Sequence, residues 1–392
     1  MHLTKEEERV YEGEEGWARK IAMEILVKLG DLYGAERLIP IESAHISGVS
    51  YKTSGEALIK FLETLVESGG RVSTHTTLNP SSFDPSQPEK IRAPEKSHQR
   101  QMHIIQLYQT LGIEATLTCT PYYLEAPMTD AHLAWAESSA VIYANSILDA
   151  WTNREGGPSA LASAIVGKTP DHGMHRPENR EPSLTVEVQA ELRSEADYGV
   201  LGALVGKIAG DRIPLFLGLR RPSEAQLKQL GAALASTGMV AMYRWLAERR
   251  RAEKIPKERI QVDWEELKNT RECLCTTSEK PDLIYIGCPH LSLREIRMVA
   301  KLLGGKRVKP DTKFWVCTSQ YVKDRASKAV QIIEAAGAQV LAGACAVVSW
   351  LKETGINTVM TNSAKAAHYL PTLGKVEVMI ADLKTCTKTA CE

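Results

Sequence analysis

Apolar positions along the chain follow two rhythms that alternate from end to end. Spacing of three and four residues predicts amphipathic helices, and short runs of β-branched and aromatic residues predict buried strands. Thr4 and Glu7 form a capping box for a short first helix. A second helix is expected over about residues 15–33, with Trp17, Ile21, Ile25, Leu29 and Leu32 as its buried stripe and Gly34 as its stop. Residues 37–41 read as a strand whose Pro40 marks an edge or an end.

The same reading predicts a helix over 55–67, a strand over 71–73, a helix running to Gly112, a strand over 114–118 and a helix over 135–151. A small-residue helix then closes at Gly167, and residues 168–182, with three prolines, form a long connection. Strand and helix patterns alternate again from 184 to about 250, and the very polar run over 248–259 reads as a solvated helix or linker. In the last third, strands run into Cys288, into Cys317 and, over 339–341, toward Cys345. A final strand over 358–360 leads into Thr361-Asn362-Ser363-Ala364-Lys365. Such alternation implies an α/β fold of mostly parallel sheets covered by helices, in three regions over 1–180, 181–260 and 261–392.

The sharpest local signal is Leu283-Ile284-Tyr285-Ile286, a strand stopped at Gly287, followed by the capping box of Ser292 and Glu295. It sets Cys288 and His290 in a turn at the carboxyl end of a strand, where open α/β sheets hold their ligands.

Composition narrows the class. At 392 residues the chain accommodates two or three domains, and 43% hydrophobic with 24% charged residues is ordinary for a globular protein. Lys+Arg and Asp+Glu number 48 each, so no basic field points to nucleic acid and no acidic block forms a tail. No apolar run reaches about 18 residues and the first residues lack a signal-peptide core, so a cytoplasmic protein without membrane contact is expected. The 8 cysteines are scattered and include no C-x-x-C pair, which argues against a disulfide scaffold, a zinc ribbon or a thioredoxin-like motif. Any metal site must gather its cysteines from distant segments.

Cys119, Cys288 and Cys345 each lie in or beside a turn close behind a strand. Thiolates are the usual ligands of iron–sulfur clusters, and three of them on a four-iron cube leave one iron open as a Lewis acid. Cysteine also packs as a small apolar residue, and Cys317 ends a strand as well as Cys288 does, so spacing does not choose between them. Cys273, Cys275, Cys386 and Cys391 lie in a charged stretch or near the end and are set aside. Ser47-Gly48-Val49-Ser50 offers amides and hydroxyls ahead of a helix, a setting that suits an anion. Asn79-Pro80-Ser81-Ser82 reads as a turn. In Thr361–Lys365 a helix N-cap accounts for one polar side chain, whereas a carboxylate or phosphate site would use them all. His290 is either a proton or hydrogen-bond donor or a structural histidine.

Six segments, taken together and in order, resemble the aconitase X family: Ser47-Gly48-Val49-Ser50-Tyr51, Thr77-Leu78-Asn79-Pro80, Cys119-Thr120-Pro121-Tyr122, Ala136-Glu137-Ser138-Ser139-Ala140, Gly287-Cys288-Pro289-His290 and Thr361-Asn362-Ser363-Ala364-Lys365. The resemblance implies an aconitase-like assembly of α/β domains around a 4Fe-4S cluster, with Cys119, Cys288 and Cys345 as its ligands. It places Gly48, Val49, Ser50, Asn79 and Pro80 in the substrate pocket, together with Ser138, Ser139, Asn362, Ser363 and Lys365. The implied reaction is a hydro-lyase step in a modified, archaeal-type mevalonate pathway, removing water from mevalonate 5-phosphate to give trans-anhydromevalonate 5-phosphate. The base in this family is a serine on a swivelling domain, and only roughly 27 residues follow Lys365, too few for another α/β domain. The resemblance therefore implies a small partner subunit that carries the catalytic serine, with His290 and Lys365 as helpers on this chain. Two rival readings accompany it: a relative that dehydrates cis-3-hydroxyproline or another hydroxy acid, and a metal-free α/β binding subunit whose cysteines are core residues.

Overall fold

The computed structural model of the chain describes residues 1–91, 93–246 and 255–391. It divides into two compact units, one built from Met1–Pro80 and Pro94–Glu181, the other from Ser81–Ala93 and the chain from Pro182 onward. Among the described residues no helix is long and apolar enough to cross a membrane.

The first unit runs through α1 (Lys5–Glu12), α2 (Trp17–Leu32), β1 (Leu38–Pro40), β2 (Ser43–Ile46), α3 (Tyr51–Glu67), β3 (His75–Leu78), α4 (Glu95–Thr110), β4 (Leu133–Trp135), α5 (Ser138–Ser146), α6 (Gly157–Val166) and β5 (Lys168–Pro170). The Thr4–Glu7 capping box starts α1, with each side chain bonded to the other residue's backbone N–H. The buried stripe of α2 differs from the expected one. Trp17 and Leu32 are 43% and 73% exposed, whereas Ala18, Ala22, Met23, Leu26 and Gly30 are buried. The reason is the partners: α2 packs against the small-residue helix α6, and also against α1 and β5.

Strands β3, β2 and β4 form a parallel sheet in that order, and β1 pairs antiparallel with β5. Residues 71–73, expected as a strand, are not one. Val72 N–H and Ser73 N–H bond to Leu111 and Ala164 carbonyls, and the strand begins at His75. The expected strand over 114–118 reduces to one bridge between Glu114 and Thr77, after which Thr118 N–H reaches the Leu78 carbonyl. The helix expected over 135–151 is only α5. Trp135 belongs to β4, Glu137 caps the helix at Ser139 N–H, and Asp149 takes a left-handed conformation (φ 53°) that helical continuation excludes.

The second unit runs through β6 (Leu184–Val188), α7 (Glu195–Ala209), β7 (Pro214–Leu217), α8 (Glu224–Thr237), β8 (Arg244–Trp245), β9 (Arg259–Val262), α9 (Trp264–Leu274), β10 (Leu283–Leu291), α10 (Leu293–Leu303), β11 (Lys313–Thr318), α11 (Gln320–Arg325), α12 (Ser327–Ala335), β12 (Gln339–Ala342), β13 (Thr358–Thr361), α13 (Ala364–Tyr369), β14 (Glu377–Ile380) and α14 (Leu383–Cys391). The polar run expected over 248–259 lies, for residues 248–254, outside the described residues, and Arg259 opens β9. Beyond β13, the strand taken as the last, β14 adds one more parallel strand to the same sheet.

Both sheets of this unit are wholly parallel, in the orders β8-β7-β6-β9 and β12-β11-β10-β13-β14. Each starts in the middle, adds strands to one side and then reverses to the other. In the five-stranded sheet the reversal falls between β10 and β13, so the loops after those strands open at the topological switch point. Ile284, Ile286, Phe314, Val316 and Val340 fill the core beneath it. The Ser81–Ala93 segment belongs here because Ser81 N–H bonds the Gly343 carbonyl (2.9 Å), Cys345 N–H bonds the Ser81 carbonyl (3.0 Å) and Asp84 accepts from Ala342 N–H (2.9 Å).

Strand β10 does not stop at Gly287, as its sequence suggests. It runs on to Leu291 with its register against β11 shifted between Ile286 and Leu291, the mark of a bulge. Gly287 makes the bulge possible: its φ is +116°, and a Cβ there would collide with the Cys317 carbonyl. Replacing Gly287 by Ala is expected to cost about 2–4 kcal/mol of stability, from strain and collision together. Gly305→Ala, also at positive φ but with open space around it, is expected to cost about 1 kcal/mol. Denaturant titration followed through the fluorescence of buried Trp315 checks both; equal losses would show that the Cys317 contact is immaterial.

Candidate functional site

Every loop that leaves the carboxyl edge of the first unit's parallel sheet carries candidate residues. Gly48, Val49 and Ser50 follow β2, Asn79 and Pro80 follow β3, and Ser138 and Ser139 follow β4. Cys119 arrives at the same edge, one residue after Thr118 bonds to Leu78 at the end of β3. Gln101 on α4 fixes the first loop: its Nε2 donates to the Val49 carbonyl (2.9 Å) and its Oε1 accepts from Tyr51 N–H (3.0 Å). Helices α3 and α5 start at this edge; α3 is broken at Gly55 (φ 62°) after its first turn, and the Glu137 carboxylate caps α5.

A buried polar chain links the three strands. Glu137 accepts from Asn79 Nδ2 (2.7 Å), Ser139 N–H (3.3 Å) and Ser139 Oγ (2.9 Å). Because a carboxylate accepts, Asn79 must turn its Oδ1 toward His45 Nε2 (3.3 Å). That nitrogen therefore carries the proton, and His45 Nδ1 accepts from Thr77 Oγ1 (2.7 Å). His45 is fully buried, and desolvation lowers its pKa to about 4, with Glu137 and Asn79 opposing the shift. The network holds Asn79 and Ser139 in one orientation without a charged histidine.

In the second unit, Cys288 and His290 lie on the bulged end of β10, and Asn362, Ser363 and Lys365 follow β13, on the two sides of the switch point. Cys345 follows β12. His290 is buried, and its Nε2 donates to the Ala344 carbonyl (2.9 Å), which ties the Cys288 loop to the Cys345 loop. Ser363 is the N-cap of α13, accepting from Ala366 N–H (3.1 Å), while Lys365 is buried in the first turn. Asn362 is buried and its Oδ1 has no hydrogen-bond partner. Asn362 also contributes to the wall of a cavity of about 110 Å³ with Ile286, Leu291, Glu295 and Met298. The carboxyl edge of the four-stranded sheet opens a cavity of about 370 Å³ that none of the candidate residues lines.

The structure thus brings the sequence-derived residues to two sheet edges, one in each unit. Cys317, the rival of Cys288, is buried inside β11, and its carbonyl is what Gly287 packs against. Among the described residues no group of three or more His, Cys, Asp or Glu side chains is placed to hold a metal ion. The sequence reading missed His45, Glu137, Lys228 and Gln229. Glu137 lies within a stretch already singled out, and His45 lies in β2, where residues 43–53 read from the sequence as a loop. Lys228 and Gln229 had no local signal.

Wholly parallel sheets with polar and cysteine-bearing loops at their carboxyl edges define an α/β enzyme scaffold. The sequence matches the family models described as aconitase X first domain over residues 1–178, second domain over 182–272 and third domain over 281–392. The chain belongs to the aconitase X family. It is 45% identical to the phosphomevalonate dehydratase large subunit of Methanocaldococcus jannaschii, with 99% of this chain and 100% of that protein covered. The cis-3-hydroxy-L-proline dehydratase of Pseudomonas aeruginosa is 33% identical, and 96% of this chain matches 68% of that longer protein. The crystal structure of Thermococcus kodakaraensis aconitase X in its holo-form superposes with a TM-score of 0.92 at 44% identity, with all of both chains covered.

Buried His45 stays neutral in the folded chain but protonates near 6.5, the ordinary value for histidine, when unfolded. The unfolded state then binds more protons between pH 6.5 and about 4, so stability falls as the pH falls through that window. The full effect is on the order of 3 kcal/mol. His175, buried and lowered to about 3 by desolvation and by neighbouring His132, adds to the same slope. His45→Gln is expected to flatten the slope in denaturant titrations at stepped pH, and an unchanged slope would mean that His45 is charged when folded.

Proposed function

We propose that the chain is the large subunit of a phosphomevalonate dehydratase, a hydro-lyase of the modified mevalonate pathway acting in the cytoplasm. Its substrate is (R)-mevalonate 5-phosphate and its product trans-anhydromevalonate 5-phosphate. The observation that carries this reading is the end-to-end match, at 45% identity, to proteins of that name, against 33% for the cis-3-hydroxyproline enzymes. Those names, as large subunits, support a small partner, which on this reading brings a swivelling domain and the catalytic serine.

Cys119, Cys288 and Cys345 are the residues that would hold a 4Fe-4S cluster. The chemistry of the donor set supports this reading: none of the three is in a disulfide, and thiolates suit iron–sulfur chemistry. When bound, the cluster supplies an open iron that acts as a Lewis acid toward the departing hydroxyl. The chain's own residues bind and orient. Amides of the Gly48–Ser50 loop receive the anionic groups of the substrate. Asn79 and Ser139, oriented by Glu137, line the pocket with Pro80 and Ser138. Asn362 offers an unpaired acceptor beside Ser363, and the Lys365 ammonium stabilises negative charge that develops on the carboxylate as the neighbouring carbon loses its proton. The partner's serine takes that proton, and the proton and hydroxyl leave together as water.

Anaerobically purified chain is expected to be brown, with about four irons per chain. Cys119→Ser, Cys288→Ser and Cys345→Ser should each lose the cluster while Cys317→Ser keeps it. With the small subunit added, mevalonate 5-phosphate should be dehydrated in preference to cis-3-hydroxyproline. A colourless chain that cannot be reconstituted with iron and sulfide would overturn the dehydratase reading and favour a binding subunit. In the complete enzyme, Glu137→Ala should lower kcat/KM about a hundredfold by misplacing Asn79 and Ser139, with iron content unchanged; iron loss in this variant would assign Glu137 to the cluster instead.

A further inference from the structure

The pairing of β10 with β13 ends at Tyr285 and Thr361, yet β10 continues for six residues past that point, through both Cys288 and His290. Peptide carbonyls beyond a ladder must find other donors if they are buried. Two consecutive residues of α8 provide them. Gln229 Nε2 donates to the Cys288 carbonyl (3.1 Å), and Lys228 Nζ donates to the His290 carbonyl (3.0 Å). Both side chains are buried, at 2% exposure each, although the rest of the α8 face from Leu227 to Ala235 is apolar or small. The Lys228 ammonium is also paired with Glu295 (2.5 Å), the carboxylate that closes the capping box of α10 on Ser292 N–H (2.8 Å). His290 then carries the constraint onward, from its ring to the Ala344 carbonyl next to Cys345.

The far end of the Gln229 carboxamide faces Gly199 of α7, where an added Cβ would lie 3.9 Å from Oε1. Its Oε1 is buried without a hydrogen-bond partner. The amide is oriented by its donor end alone: turning it over would set Oε1 against the Cys288 carbonyl, acceptor against acceptor.

We infer that Lys228 and Gln229 are positioning residues, which hold the Cys288 loop and, through His290, the Cys345 loop in the arrangement that receives the iron–sulfur group. The inference rests on the proposed function for the identity of that group. Gln229 acts on Cys288 alone, while Lys228 acts on both loops.

The test begins with the iron-free full chain and measures alkylation of each cysteine by mass spectrometry, with buried Cys317 as the internal standard for general loosening. Gln229→Met is expected to speed alkylation of Cys288 about fivefold, the worth of one lost hydrogen bond, and to leave Cys317 unchanged. Lys228→Met should speed both Cys288 and Cys345, and Lys228→Arg, which keeps a charged donor, should restore the wild-type rates. After reconstitution with iron and sulfide, the two Met variants should lose iron to a chelator about tenfold faster than wild type. Rates equal to wild type, or a parallel rise at Cys317, would overturn the positioning role. If wild type takes up iron and the variants hold it as tightly, only this inference falls; if wild type takes up none, the proposed function falls with it.

Discussion

Parallel ladders run out before the functional loops begin, and the peptide groups beyond them still need partners. The architecture of both candidate edges follows from how that requirement is met. At the end of β2, Gln101 supplies a donor and an acceptor to Val49 and Tyr51; at the end of β10, Gln229, Lys228 and, from within the loop, His290 supply donors to carbonyls at 288, 290 and 344. Buried amides and a buried ammonium thus replace missing strands. Because each such side chain comes from a helix, the loops inherit the rigidity of the helical layers rather than the mobility usual for connections.

The two edges differ in chemistry. The first unit's edge is built of amides, hydroxyls, a neutral histidine and the Glu137 carboxylate that orders them, a lining of hydrogen-bonding groups. The second unit's edge holds two thiols whose loops are fixed through their main chain, leaving sulfur chemistry to the side chains. Neutral His45 matters to this division. Desolvation keeps a positive charge out of the His45–Asn79–Glu137 chain, so Glu137 directs hydrogen bonds rather than forming a salt bridge with the ring.

What could be read from the sequence was whatever depends on neighbours in the chain. The Ser292–Glu295 capping box spans four residues and appears as expected, and so does the alternation that makes the sheets parallel. The buried stripe of α2 could not be read, because α6 chooses it, more than a hundred residues away. The strand β14 was readable in principle from the alternation of Val376, Val378 and Ile380, all turned inward. Among the candidate site residues, Ser47–Ser50, Cys288 and Thr361–Lys365 stood out by composition and position, whereas Ser138 and Ser139 were marked only by resemblance to the family. The residues that orient them did not stand out: Glu137 meets Asn79 only through the register of β2 against β3 and β4, and Gln229 meets Cys288 only through packing of α8.

The Ser81–Ala93 segment gives the chain an order of assembly. Its neighbours on either side belong to the first unit, but its backbone partners are Gly343 and Cys345 and its Asp84 caps Ala342. On the ribosome this segment emerges more than 250 residues before the strand that receives it, since Asp84 and Ala342 are 258 positions apart. The first unit's parallel sheet can form early, yet the stretch just beyond Asn79 and Pro80 stays unanchored until β12 has been made. A chain truncated before Gln339, and so lacking β12, would therefore carry a nearly complete first-unit edge whose exit is untethered. Completion of the C-terminal third is what fastens it.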